Sequence, residues 1–151
     1  MRNTIQILII TILLGACQVP SHFENNHRFV NNNWIRFNDL VYEVPVEAGD
    51  TYSFHGNLIT DSLFQQRKLE LGFYLYFPDG EKRLEDQTHR ILDFEYKALG
   101  KKTDIGFELP LVFKKDIQVS ESGLLKVVIS NHSQYLDNLG IIGLDFYVEQ
   151  Q

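Results

Sequence analysis

Apolar and polar residues alternate with a period of two along most of the chain, and this alternation constrains the fold more than any other feature. Successive side chains of a strand point to opposite faces, so the pattern is typical of half-buried strands. The cleanest stripe is Leu69, Leu71, Phe73, Leu75 and Phe77. Further strands are predicted at 40–46, 52–58, 91–96, 105–111, 113–119, 125–129 and 142–148.

Turn signals separate these short segments. Pro78-Asp79-Gly80 and Ser122-Gly123 mark two turns, because proline fixes one φ angle and glycine accepts a positive one. Pro45 has no N–H to donate, so the strand 40–46 is predicted to lie at a sheet edge. No long helical period occurs in the sequence. We therefore predict an all-β domain over residues 34–151, a single β-sandwich of about seven or eight strands that is either immunoglobulin-like or a jelly-roll.

Composition limits the classes of function. The 151 residues include 14 Lys+Arg and 20 Asp+Glu, which gives a formal net charge of -6. Because nucleic acid binding needs a basic face, this balance argues against a nucleic acid partner. The five His residues lack the spacing of metal-ligand pairs, and neither GxSxG nor a glycine-rich phosphate loop is present. We expect no catalytic residue, no metal and no cofactor.

The N-terminal residues read as a targeting signal that ends at the single Cys. Arg2 precedes an apolar stretch over 5–14, which is short for a membrane span, since spanning takes about 20 apolar residues. A basic start, a short apolar stretch and small residues after it are typical of a secretory signal. Leu14-Gly15-Ala16-Cys17 resembles the bacterial lipobox, in which the Cys thiol takes a diacylglyceryl group and becomes the first residue after cleavage.

This interpretation divides the chain into three parts. We predict a lipoprotein signal peptide over 1–16, a lipidated N-terminus with a flexible Asn-rich tether over 17–33, and the folded domain over 34–151. Loss of Arg2 with the signal leaves 13 basic and 20 acidic residues, a net charge of -7. The lipid on Cys17, rather than a basic patch, is therefore expected to attach the protein to the membrane. The alternative is an ordinary signal peptide or membrane anchor with an accidental Cys.

Two weaker signals concern the protein surface. Asp61-Ser62-Leu63 resembles the short O-glycosylation motif of exported Bacteroidetes proteins, so Ser62 is a candidate modification site. Exposed aromatic side chains can stack on sugar rings, although they more often cover a sheet or enter a protein interface. The residues considered for a glycan-binding platform are Trp34, Tyr74, Tyr76 and Tyr147.

The order of these features resembles the gliding motility-associated lipoprotein family GldH of Bacteroidetes. The N-terminal matches are the lipobox ending at Cys17, the single Trp34 before the first strand, and an aromatic strand that runs into Pro78-Asp79-Gly80. The C-terminal matches are Phe113-Lys114-Lys115-Asp116, the turn at Ser122-Gly123, and the closing segment Leu136-Asp137-Asn138-Leu139-Gly140-Ile141-Ile142-Gly143-Leu144. The resemblance extends over residues 33–149.

The resemblance implies an outer-membrane lipoprotein without enzymatic activity that supports gliding motility. It associates the protein with the envelope machinery of surface motion and type IX secretion, whose proteins would be its partners. Gln18-Val19-Pro20-Ser21 lacks the acidic cluster that resembles a surface-export signal, so we expect a periplasm-facing domain. The hypotheses are a structural envelope protein with Tyr74 and Tyr76 as its partner face, a glycan-binding outer-membrane lipoprotein, and a small hydrolase.

Overall fold

The computed structural model describes residues 22–151, which form two antiparallel sheets packed face to face. The strands are β1 Phe23–Arg28, β2 Leu40–Val46, β3 Thr51–Thr60, β4 Lys68–Tyr76, β5 Lys82–Arg90, β6 Lys101–Lys102, β7 Phe107–Gln118, β8 Gly123–Asn131 and β9 Ile141–Gln150. A short 3-10 turn, Val30–Asn32, follows β1. The predicted all-β sandwich is confirmed, with nine strands in place of about seven or eight.

Successive strands mostly alternate between the two sheets. The five-stranded sheet has the order β1-β9-β3-β7-β6, and the four-stranded sheet has the order β2-β8-β4-β5. β1 therefore pairs with the last strand rather than with β2, and β4 and β5 form a hairpin within one sheet. This connectivity is that of a jelly roll. It excludes the immunoglobulin-like alternative, in which the first two strands share a sheet.

The two prolines that lie within strands, Pro45 and Pro110, both occupy open sheet edges. β2 is an outer strand of the four-stranded sheet, which confirms the prediction from Pro45. The segment 105–111 and its continuation over 113–119, on the far side of Pro110, form the single strand β7. β6 covers the outer side of β7 only at Phe107 and Glu108. Most of β7, including Pro110, therefore has an open edge, where proline is tolerated.

The prediction of a flexible tether over 17–33 is wrong for residues 22–33. Phe23–Arg28 is β1, and it pairs with β9 along its whole length. Phe29 then packs on Trp34, with ring centroids 4.7 Å apart. Backbone hydrogen bonds at the sheet edge and one buried ring order this segment, although its composition is polar. The folded domain therefore includes residues 22–33.

The lipid-anchor predictions concern a part of the chain outside the described residues. This holds for the signal peptide over 1–16 and for Leu14, Gly15, Ala16 and Cys17 of the lipobox. The signal peptide and the lipobox remain predictions. Within residues 22–151, no helix combines the length and the apolar character that crossing a membrane requires.

Aromatic side chains join the two sheets in the core. Phe73 of β4 stacks on Phe113 of β7 with centroids 5.0 Å apart, and Tyr42 of β2 stacks on Phe146 of β9 at 4.7 Å. All four rings are buried. Burial of a ring of this kind contributes about 1.5–3 kcal/mol, so these pairs account for much of the cohesion between the sheets.

The two ends of the sandwich are built differently. Short turns over 47–50, 77–81 and 119–122 form one end, which we call the turn end. The connections 29–39, 61–67, 91–106 and 132–140 form the opposite end, which we call the loop end. Phe23 pairs with Val148, late in β9, so β1 starts at the turn end. His22 lies there too, with its Nε2 at the carbonyl oxygen of Pro45.

Candidate functional site

Exposed apolar side chains concentrate at the loop end. Of the 15 large hydrophobic residues that are exposed within 22–151, the four on strands are Val41, Leu84, Val112 and Leu124. The other eleven are Val30, Ile35, Phe37, Leu63, Phe94, Tyr96, Leu99, Ile105, Tyr135, Leu136 and Leu139. Contiguous exposed apolar surface marks an interaction site in soluble proteins. The loop end is therefore the candidate binding surface of this domain.

Three of the loops carry an apolar patch that consists of Val30, Ile35, Leu63, Leu136 and Leu139. Backbone hydrogen bonds tie these loops together: Arg36 N–H donates to Leu136 O at 2.8 Å, and Gly140 N–H donates to Asn32 O at 2.8 Å. Gly140 has a φ angle of 91°, and a Cβ there would lie 2.2 Å from Phe64 N. A larger residue would therefore separate the loops, which makes the patch a defined surface.

A buried polar network fixes the same loops to the sandwich. The side-chain amides of Asn131 and Asn138 donate to Trp34 O at 2.9 and 3.0 Å. Ser133 Oγ donates to Asn138 Oδ1 at 2.6 Å, and the Trp34 indole N–H donates to Asn38 O at 2.8 Å. Buried polar groups are costly when they lack partners, so a closed set of this kind specifies one loop arrangement.

The predicted platform of four aromatic residues does not form. Trp34 is fully buried, at 0% exposure. Tyr147 belongs to the other sheet, where it stacks on His55 with centroids 5.3 Å apart. Of the four residues, only Tyr74 and Tyr76 share a surface. The prediction failed because sequence alternation does not show which aromatic residues are covered by loops.

Tyr74 lies on the outer face of β4 and is held by its neighbours. Its hydroxyl donates to Asp86 Oδ1 at 3.0 Å and lies 3.3 Å from His132 Nε2. Gly72 provides the room, since a Cβ there would lie 2.3 Å from the Tyr74 hydroxyl oxygen. Partial desolvation and the hydrogen bond to Asp86 raise the pKa of Tyr74 to about 12. The ring is therefore a positioned, neutral part of this face.

Tyr76 lies two residues further along the same face. Its ring centroid is 5.8 Å from Lys82 Nζ and 5.6 Å from Lys126 Nζ, which are cation–π distances. Cross-strand pairing places an apolar row beside it on all four strands. In order across the sheet, the row consists of Val41, Val128, Tyr74 and Leu84. The structure thus brings the two predicted partner-face residues together on one face.

A cleft with a volume of about 570 Å³ opens at the loop end, where β4 and β5 meet the loops 61–67, 91–106 and 132–140. The residues that line it are Gln65, Gln66, Arg67, Lys68, Glu70, Arg90, Phe94, Tyr96, Ser133, Gln134 and Tyr135. The guanidinium carbons of Arg67 and Arg90 lie 4.5 and 5.0 Å from the centroid of Phe94. Sequence reasoning missed this site, because its residues come from four separate segments.

A turn over 93–97 presents the aromatic rings of this cleft. Asp93 Oδ1 accepts the N–H groups of Glu95 and Lys97 at 2.8 and 2.9 Å, and these bonds lower the pKa of Asp93, the bond from Lys97 most. The prediction of a strand over 91–96 is wrong here, because this capped turn replaces it. Phe94 and Tyr96 consequently point outward, with exposures of 72% and 63%.

Ser62 is exposed at the loop end. It lies in a turn in which Asp61 Oδ1 accepts the N–H of Leu63 at 2.8 Å. Leu63 belongs to the apolar patch, so a glycan on Ser62 would stand beside it. O-glycosylation of Ser62 stays a prediction.

No family model and no curated protein matches this chain in sequence. In the part of the chain that the structure describes, no three His, Asp or Glu side chains lie close enough together to hold a metal ion. The loop end presents exposed apolar side chains, and aromatic rings with arginine guanidinium groups beside them.

Proposed function

We propose that this protein is a lipid-anchored, structural component of a bacterial cell envelope. Acylated Cys17 attaches it to the outer membrane on the periplasmic side. The jelly roll binds other proteins of the gliding motility and type IX secretion machinery. The order of motifs shared with the GldH family supports the assignment to this machinery. The observation that carries the binding role is the concentration of exposed apolar side chains at the loop end.

The course of the chain supports a binding role for the end that faces away from the membrane. Cys17 and His22 are five residues apart, a distance of at most about 18 Å even when fully extended. His22 lies at the turn end, against Pro45 O. β9, with 10 residues, spans about 33 Å between the two ends. A lipid on Cys17 would therefore hold the turn end near the bilayer and leave the loop end free for a partner.

A protein is the occupant that this surface fits best. The apolar patch lies on loops that backbone hydrogen bonds join, and it contains no charged residue. The domain is acidic, so an anionic lipid surface is disfavoured. The outer face with Tyr74 and Tyr76 offers a second contact area for the same partner. Its apolar row begins at Leu84 and ends at Val41, which are exposed at 63% and 53%.

Glycan binding is the second candidate function, and the cleft at the loop end favours it. Phe94, Tyr96 and Tyr135 expose their rings there. Aromatic faces beside polar side chains suit a sugar ring, and a volume of about 570 Å³ is ordinary for a ligand site. This site replaces the platform predicted from the sequence.

Recovery of partners from the native bacterium tests the main proposal. A tagged full-length protein is solubilised from membranes in mild detergent, and the proteins that co-purify with it are compared between variants. Leu136→Asp places a charge in the apolar patch and should remove the partner. Leu124→Asp is the matched control, because Leu124 is similarly exposed, at 57% against 65%, but lies on β8 near the turn end. Equal recovery by both variants would contradict the proposal.

Cys17→Ala tests the anchor separately. Without the thiol no diacylglyceryl group is added, so the variant should leave the membrane fraction after a carbonate wash. Retention of the variant in that fraction would refute the lipid as the main attachment. The Leu136→Asp protein, which keeps Cys17, is the control and should remain in the membrane.

A further inference from the structure

Cationic side chains gather at the cleft of this acidic protein. Lys68 and Arg90 are directly opposite each other on β4 and β5, and Arg67 precedes Lys68. Like charges that face each other across a strand pair are destabilising. Glu70 is the one carboxylate that lines the same cleft. The cleft therefore has an excess of positive charge that an anionic ligand would relieve.

The two arginines are arranged so that their donors remain available. Both guanidinium groups lie against the ring of Phe94, at 4.5 and 5.0 Å from its centroid. In the described range neither arginine forms an ion pair with a carboxylate. Arg67 is the smallest of the influences that lower the pKa of Asp93; the backbone N–H groups of Lys97 and Glu95, which both bind Oδ1, lower it more. A guanidinium that stacks on a ring keeps its planar N–H edge free, and this edge matches a carboxylate bidentately.

We infer that the cleft binds a carboxylated saccharide of the uronic acid kind. The guanidinium edges of Arg67 and Arg90 would bind the carboxylate, and Tyr96 and Tyr135 would stack on sugar rings. The amides of Gln65 and Gln134 line the same cleft and are suited to hydroxyl groups. This inference rests on the glycan-binding candidate function, and it depends neither on the lipid nor on a protein partner.

Calorimetric titration of the detergent-solubilised full chain provides the test. The probe is an α-1,4-linked tetramer of galacturonic acid, and the matched probe is its fully methyl-esterified form, which is neutral. The acidic tetramer should bind, and the ester should bind about tenfold more weakly or worse, because the neutral ester cannot form the charge-assisted hydrogen bonds that a carboxylate forms with guanidinium groups. Rising salt should weaken the acidic probe only.

Three variants locate the site. Arg90→Gln should weaken binding of the acidic tetramer about tenfold, and since Arg90 is exposed, the fold should tolerate the change. Lys101→Gln with Lys102→Gln removes more charge from exposed positions of the same end and should leave the affinity unchanged. Phe94→Ala keeps every charge but releases both guanidiniums, so it should also weaken binding.

Any one of the following outcomes would overturn the inference. Equal affinity for the ester would leave a glycan site without a role for the carboxylate, and binding of neither tetramer would remove the glycan-binding candidate as well. Binding of inorganic phosphate in place of the tetramer would identify a phosphate site. A loss of affinity in the double-lysine variant equal to that in Arg90→Gln would indicate non-specific charge attraction.

Discussion

The turn end and the loop end close the same strands in opposite ways. At the turn end, short turns bind each other: Ser122 Oγ donates to Glu47 Oε2 at 2.9 Å and accepts Ala48 N–H at 2.8 Å. At the loop end, long connections carry eleven exposed large hydrophobic side chains. Closing a jelly roll therefore does not require exposed apolar surface. The surface at the loop end is available for recognition.

Backbone strain follows the same division. Four of the five non-glycine residues with positive φ within 22–151 are at the loop end, namely Asn31, Asn32, Phe37 and Tyr96. An aromatic residue in the left-handed region costs about 1 kcal/mol or more and persists only where its surroundings hold it. Phe37 and Tyr96 both have φ of 61° and both expose their rings. The strained backbone and the exposed rings at the loop end are both features expected of a binding surface.

The largest effect is expected from Trp34→Ala, because the buried Trp34 side chain supports the loops of the loop end. Trp34 is fully buried, and its loss should lower the free energy of unfolding by about 3–5 kcal/mol. Urea denaturation followed by circular dichroism measures this. A loss under about 1 kcal/mol would show that the loops do not depend on this ring.

A smaller effect is expected from Asn138→Ala, which opens the buried network. The Asn138 side chain bonds Gln66, Ser133, Trp34 O and Tyr135 O, so the variant leaves buried groups unpaired at a cost of about 2–3 kcal/mol. Ser122→Ala at the turn end is the matched control and should cost about 1 kcal/mol. If both variants unfold at the same urea concentration, side-chain hydrogen bonds stabilise the two ends equally. That result would contradict the difference between the ends.

The outer sheet face should contribute less to binding than the loop end. Tyr74→Ala with Tyr76→Ala should weaken partner recovery while the domain remains folded, and Tyr74→Phe, which keeps the ring, should change recovery little. Recovery is quantified beside Leu136→Asp, which should lose more. Unchanged recovery with the stable double variant would remove the sheet face from the interface.

The smallest effect is a pH dependence near the loop end. Burial lowers the pKa of His89 below its ordinary 6.5. As pH falls through 6.5, the unfolded chain therefore takes up a proton that the folded protein does not. Stability should decline by at most about 1.4 kcal/mol per pH unit from this group. His89→Gln should reduce the dependence of the free energy of unfolding on pH between about pH 7 and pH 5.5. An unchanged slope would show that other titratable groups cause the loss of stability in acid.

Alternation in the sequence predicted the strands that have one buried face, including the outer strand β2, but it missed the outer strands β1 and β5. β1, with the sequence FENNHR, and β5, with KRLEDQTHR, carry polar residues on both faces. Pairing with β9 and β4 makes them strands, and this information lies in their neighbours rather than in their own side chains. The cleft was missed for a related reason, since Arg67 and Phe94 meet only through the topology.

Site-specific photo-crosslinking in the native bacterium tests the central claim most directly. A benzophenone amino acid replaces Leu136 at the loop end in one strain and Glu121 at the turn end in another, and crosslinked envelope proteins are identified after irradiation. A binding role for the loop end predicts protein crosslinks from position 136 and few or none from position 121. Crosslinks from position 121 alone, or equal crosslinks from both, would contradict it.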